Sequence, residues 1–313
     1  MSGWLGLFGD PNVRWILFGC MLLGLGSGVV GSFAYLRKQS LMGDALSHAA
    51  LPGVCIAFML TGVKSLFVLL AGAAAAGLVA TFGIGYITRH SRIKQDAALA
   101  IVLTVFFGVG IVLLTQIQHS GSGNQSGLDK FLFGQAASMV GTDVAVLAVI
   151  SCVLVAACAL LFKEFKLISF DPGFARGMGF PVAVLDHLLM LLFVIAVVVG
   201  IQAVGVVLMA ALLITPAVSA RYWTERLGVM VALAGTFGAL SGLVGTAISA
   251  SGNNLPTGPL CVLTATAVFA ASVLFAPGRG VLPKALRRFS ARRRLARSLA
   301  EPAEPALRKE HVQ

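Results

Sequence analysis

Apolar residues run along this chain in blocks of about 20, separated by short clusters of charged residues, glycines and prolines. An α-helix rises about 1.5 Å per residue, so a block of that length crosses the hydrocarbon of a bilayer. Nine blocks meet the requirement, near residues 15–36, 43–61, 65–87, 96–117, 142–162, 182–200, 203–220, 228–250 and 258–277. Only Gly200 to Gln202 separate the sixth from the seventh, so the pattern also accommodates eight spans, or ten if Phe131 to Val140 dips into the membrane. The expected fold is an all-α polytopic membrane protein with a transmembrane domain over residues 1–280 and a tail over residues 281–313.

Composition strengthens that reading. Of 313 residues, 58% are apolar and only 11% are charged, less than half the roughly 25% of soluble domains. That supply of polar side chains is too small to cover a water-soluble globule. The net charge of +11 is concentrated at one end, with ten basic and three acidic residues from Arg279 onward. A basic tail of this kind anchors to anionic lipid headgroups, and nucleic-acid binding is not expected. The five cysteines lie in apolar runs without a close CxxC pair and read as small buried residues. No basic region precedes the first apolar run, so a cleavable leader is not expected.

Basic residues also orient the spans, because Lys and Arg stay on the cytoplasmic side. With the N-terminus outside, 20 basic residues fall inside, including Arg37, Arg89, Arg92, Arg221 and the tail. Three, Arg14, Lys64 and Lys130, fall outside. The expectation is an external N-terminus and a cytoplasmic C-terminus. The chain's 36 glycines, with small-residue spacings at Gly24/Gly28 and Gly238/Gly242, suit close helix packing in lipid. Pro52 and Pro216, inside apolar blocks, free backbone carbonyls that must face protein or a wet cavity.

The residues with the clearest chemistry lie in Ser40-Leu-Met-Gly-Asp-Ala-Leu-Ser-His-Ala-Ala-Leu-Pro-Gly53, at the inner start of the second span. Asp44 and His48 are one turn apart and share a helix face. A carboxylate and an imidazole suit borderline divalent ions such as manganese, iron or zinc. An ionisable pair inside a span is costly to bury without a function. The same spacing also fits a plainer role, with Asp44 complementing the helix dipole and His48 bonded to it. Ser47 beside the pair and Thr215 in the seventh span are candidate path-lining residues, and Asp143, Ser219 and Asn253 weigh less. Asp186 and His187 are adjacent and cannot share a face, and one or both are expected merely to sit near the membrane boundary.

A second stretch, Lys163 to Phe180, is long for a loop in this chain. Asp171-Pro172 is a cap followed by a residue suited to a first helical turn, and Phe174, Met178 and Phe180 form a short apolar stripe. An exposed amphipathic helix of this kind docks a soluble partner, although an ordinary interfacial loop has the same composition. There is no GxxxxGK[ST] phosphate loop, no GxSxG and no HExxH, so the chain carries neither a P-loop ATPase site nor a recognisable hydrolase site.

Taken together, these residues resemble a known family. The run from Gly31 to Gly53 closely resembles the signature of the permeases of ATP-binding-cassette importers for manganese, zinc and iron. The likeness continues through Ser91–Ala100, Gly123–Ala137, Phe170–Ala175 and Val204–Ala217, and covers roughly residues 13–280. The Asn124–Ala137 segment is more similar to the manganese and iron branch. The resemblance implies a transport permease rather than an enzyme, located in the bacterial plasma (inner) membrane. It implies pairing with an identical or related permease, a cytoplasmic ATPase dimer that hydrolyses ATP, and an extracellular protein that delivers the metal. It implies no permanently bound cofactor, only a transported divalent ion. Asp44 and His48 become the implied metal contacts. The segment around 170–180, with Phe170, Asp171, Pro172, Phe174, Arg176 and Met178, becomes the implied coupling helix. One tension follows from the expected topology: Asp44 lies only about 5–10 Å from the inner face at helical rise. Either the second helix has a re-entrant start or the pair serves the cytoplasmic half of the path. An ion-gradient-driven transporter with Asp44 and His48 as a proton relay is the alternative reading.

Overall fold

The computed structural model describes residues 11–62, 65–119, 134, 139, 141–252, 255–277, 279–284 and 291. The Asn124–Ala137 segment, apart from Gly134, lies outside the described residues, as do Asn253 and almost all of the tail. The helices, numbered here in chain order, are α1 (Pro11–Leu36), α2 (Met42–Thr61), α3 (Leu66–His90), α4 (Gln95–His119) and α5 (Gly141–Leu160). Two short ones follow, α6 (Phe162–Phe170) and α7 (Pro172–Gly177). Then come α8 (Val182–Val204), α9 (Val206–Trp223), α10 (Leu227–Ser251) and α11 (Thr257–Phe275). Eight of these are long and apolar enough to cross a bilayer. The other long helix, α9, has 18 residues and packs among α1, α2, α10 and α11.

The expected break at Gly200–Gln202 moves to Gly205. There φ is +92° and ψ is 163°, a conformation that only glycine adopts without strain. The chain reverses at this point: a Cβ on Gly200 would lie 2.0 Å from the sulfur of Met209, whereas nine residues of straight helix span about 13 Å. Inter-helix pairs give the other directions. Gly24 meets Gly238 and Gly28 meets Ala234, so α1 and α10 are antiparallel. Gly53 meets Gly72 (α2 against α3), and Gly77 meets Val194 while Phe82 meets His187 (α3 against α8), all antiparallel. His48 meets Phe107 and Leu51 meets Gly110, so α2 and α4 run parallel. Gly19 meets Val144 and Gly26 meets Ser151, so α1 and α5 are parallel as well. The nine long helices therefore alternate in direction, and the start of α1 and the end of α11 lie on opposite sides.

The centre is formed by α1, α2 and α8, where Val30, Phe33, Ala49, Phe193, Val194 and Val197 have no exposed surface. The outer helices carry bare apolar side chains such as Phe67, Phe82, Val112, Val149, Leu160 and Leu263, as a lipid-facing surface requires. In lipid the hydrophobic effect does little to draw helices together, so backbone proximity must do it. Along α1 and α10 that proximity is extreme: a Cβ on Gly24 would sit 2.1 Å from the Gly238 carbonyl oxygen, and one on Gly242 would sit 2.2 Å from that of Cys20.

The turn between α1 and α2 is inside the bundle. Gln39 and Met42 are only 6% and 2% exposed. The Gln39 amide donates to the Ala34 carbonyl and the Met42 amide to the Gln39 carbonyl, so the buried backbone is satisfied. Arg37 Nη2 lies 2.8 Å from Asp186 Oδ1 on α8, a charge contact without aligned hydrogen-bond geometry, since Asp186 Oδ1 has no hydrogen-bond partner among the described residues. Asp186, near the start of α8, is thus also a partner across the bundle.

Two outcomes follow from this packing. Gly238→Val must force α1 and α10 apart, and overpacking of this kind costs about 1–3 kcal/mol, read as a lower unfolding midpoint of the detergent-purified chain, whereas Gly85→Val, at a position facing open space, leaves it unchanged. For Arg37 and Asp186, the double-mutant cycle with alanine gives a coupling of about 0.5–3 kcal/mol; additive losses would show that the contact is energetically idle.

Candidate functional site

Asp44 sits in the first turn of α2, and His48 follows one turn later. The N-terminal half of this helix is otherwise almost entirely buried, yet the Asp44 side chain is 41% exposed and that of His48 is 18%. Together they form a polar notch on the α4 side of the helix, where the His48 ring meets Phe107 edge-on with centroids 4.7 Å apart. His48 Nε2 lies 3.4 Å from Asp44 Oδ1, too far for a strong hydrogen bond. Two ligands each about 2.1 Å from one ion, at a tetrahedral angle, stand about 3.4 Å apart, so the gap suits a shared cation. His48 Nδ1 is buried without a hydrogen-bond partner among the described residues.

Pro52 adds a third feature. It lies inside α2 and lacks an N–H, so the carbonyl of His48, four residues earlier, loses its helical donor. A carboxylate, an imidazole and a carbonyl oxygen without its i+4 amide donor therefore stand within one turn and a half of helix. Among the described residues no group of three His, Cys, Asp or Glu side chains comes together. Asp44 and His48 are thus a pair without a third such side chain beside them among the described residues.

The structure resolves the question of depth. Gly53 packs on Gly72 with α2 and α3 antiparallel, so Asp44 is level with about residue 81 and His48 with about residue 77 of a helix that ends at His90. At helical rise these levels are about 13 and 19 Å from that end. Phe107, against His48, is the middle residue of α4. α3 overshoots the buried turn, so His48 stands near mid-height of the bundle and Asp44 about one turn nearer the end of α3.

The other candidates fall in different places. Ser47 is fully buried, and its hydroxyl donates to the Gly43 carbonyl at 2.7 Å, so it does not join Asp44 and His48. Thr215 is half-buried on α9. Gly43 packs on Leu213, which puts Thr215 about one turn inward of Asp44, and its carbonyl accepts from the Ser219 hydroxyl. His119 and Asp96 are exposed at the two ends of α4.

The segment around 170–180 contains α7. Asp171 caps it, its carboxylate accepting from the Phe174 amide at 2.9 Å, and Pro172 occupies the first turn. Gly179, at φ +83°, follows α7. Ala175 faces inward and is buried, whereas Phe170, Phe174 and Met178 are 61%, 57% and 58% exposed, and Arg176 is exposed beside them. The sequence reading missed α6 as a helix, although Phe162, Phe165 and Ile168 recur at a spacing of three. Phe165 and Ile168 are buried, and the rings of Phe162 and Phe165 both pack edge-on against Phe33 of α1. The exposed apolar residues of α7 are thereby mounted on the central helix.

The ABC 3 transport family matches residues 10–276. The manganese transport system membrane protein MntC of Bacillus subtilis (strain 168) is 57% identical over 95% of this chain and 68% of its own length. The zinc transport system membrane protein TroC of Treponema pallidum (strain Nichols) is 47% identical over 92% of this chain and 97% of its own. Among solved structures, PsaBC from Streptococcus pneumoniae in complex with Fab superposes with a TM-score of 0.77 at 35% identity, covering 88% of this chain and 95% of that one. The alternating helices and these likenesses lead to one assignment: the chain belongs to the ABC 3 transport family, as a multi-pass permease subunit of an ATP-binding-cassette transporter of the bacterial inner membrane.

Proposed function

We propose that this permease imports a divalent transition metal ion, with manganese the preferred cargo and zinc or iron alternatives, and that Asp44 and His48 hold the ion briefly on its way through. The observation that carries the reading is the partly exposed carboxylate–imidazole pair on the otherwise buried N-terminal half of α2, with a 3.4 Å gap suited to two ligands of one ion. Manganese and zinc are the cargoes named for the relatives. A half-site is completed by a second permease, identical or related, whose own pair faces the first, together with the His48 carbonyl or water. A weak, multi-part site of this kind lets the ion leave as well as enter.

The orientation with most basic residues inside puts α6 and α7 at the cytoplasmic face, the buried Arg37 turn above it on the same side, and the N-terminus outside. The exposed Phe170, Phe174 and Met178 then meet a cytoplasmic ATPase dimer, with Asp171 and Pro172 holding the helix that presents them and Arg176 offering a charge at its edge. ATP binding moves α7, and the rigid packing of α6 on Phe33 carries that movement to α1 and so to the turn that begins α2. An extracellular metal-binding protein delivers the ion at the opposite face.

In cells lacking other manganese uptake, Asp44→Ala and His48→Ala each lower metal-dependent uptake at least about tenfold, the loss expected when a charged or metal-binding partner is removed, while Ser47→Ala transports as the parent does. Unchanged uptake in both site variants would remove the pair from the path. Phe174→Asp, by contrast, abolishes copurification of the ATPase and leaves the permease folded in the membrane; uptake that persists without the ATPase would overturn the ATP-driven reading.

A further inference from the structure

A second polar site lies away from the metal pair. A cavity of about 670 Å³ opens between α3, the start of α8 and the buried turn. Met42 forms part of its wall, and two residues of helix turn the chain by about 200°, so the cavity is on the opposite side of α2 from Asp44. Its polar end is lined by Arg37, Gln39, Arg89 and Asp186, and its upper part by Phe82 and Met190. Three side-chain atoms here lack hydrogen-bond partners among the described residues: Arg37 Nη1, Gln39 Oε1 and Asp186 Oδ1. Gln39 is 94% buried, being 6% exposed. Buried polar atoms in this state are costly unless a ligand satisfies them.

Their chemistry specifies the ligand. Arg37 Nη1 needs an anionic acceptor, while Gln39 Oε1 and Asp186 Oδ1 need hydroxyl or ammonium donors. Arg37 and Arg89 against Asp186 leave one net positive charge. A phosphodiester carrying a hydroxyl-bearing head supplies one negative charge, acceptor oxygens and donors together, whereas an ethanolamine head supplies the donors with no net charge. The apolar wall above, at the membrane boundary marked by Arg89, matches acyl chains. We propose that this cavity binds the phosphoglycerol headgroup of an anionic phospholipid, with Arg37 and Arg89 on the phosphate and Gln39 and Asp186 on the glycerol hydroxyls. Because Arg37 and Asp186 join the site-bearing turn to the start of α8, the lipid braces that junction.

The full-length permease, purified and exchanged through vesicles holding equal phosphoglycerol and phosphocholine lipids, tests this by mass spectrometric counting of retained lipid. About one phosphoglycerol lipid per chain is expected to remain. Arg89→Gln, at an exposed position that tolerates replacement, and Gln39→Leu each weaken retention about tenfold, as loss of a charge-assisted or buried hydrogen bond does. Arg92→Gln, outside the cavity, retains the lipid, and unfolding midpoints confirm that each variant is folded. Equal retention in Arg89→Gln and the parent would overturn the proposal, as would equal retention of phosphocholine. Displacement by millimolar glycerol phosphate or inorganic phosphate would overturn it in favour of a free phosphate site.

Discussion

Two apolar helices in lipid gain little from hiding their surfaces on each other, so what holds α1 in the middle of this permease is backbone approaching backbone. At Gly24, Gly28, Gly238 and Gly242 an added Cβ would fall about 2 Å from a carbonyl of the facing helix, far inside contact distance. The small residues convert a weak attraction into many short-range contacts. The other elements are referred to α1: α10 on one side, α5 along another, α9 beside it and α6 clasped through Phe33. Its last turn leads into the buried corner that starts α2.

That corner links packing to function. A turn on the membrane surface would leave Asp44 near the headgroups, where a carboxylate is unremarkable. Drawn into the bundle and tied to α8 through Arg37 and Asp186, it lifts the imidazole to near mid-height and the carboxylate to about one turn from it. An ionisable pair there is costly, and it is on this cost that the proposed passage of an ion rests. Pro52 contributes by what it lacks, since its missing N–H removes the usual helical donor from the His48 carbonyl.

The apolar blocks made the spans legible because lipid demands about 20 apolar residues per crossing and tolerates few exceptions. All nine anticipated blocks became helices, and Asp44 and His48 stood out because an ionisable pair inside such a block breaks the pattern. The capping pair Asp171-Pro172 was equally readable, since capping is local chemistry. Less was visible where the signal was non-local. The reversal fell at Gly205 rather than at Gly200 to Gln202 because two glycines, Gly200 and Gly205, lie close together and only packing, with Gly200 on Met209, selects between them. Ser47 looked like a neighbour of the pair by number, but its hydroxyl turned back to its own helix.

By itself the sequence determined the membrane-spanning class, the position of the long apolar helices, the balance of basic residues between the loops, and the presence of one carboxylate–imidazole pair inside a span. Each depends on composition or on spacing within one helix. Only the tertiary structure decided how deep the pair lies, that Asp186 answers Arg37 across 149 positions of chain, and that a polar cavity forms behind the turn. Depth and pairing depend on how far one helix overshoots another, and that is set by contacts between segments distant in sequence.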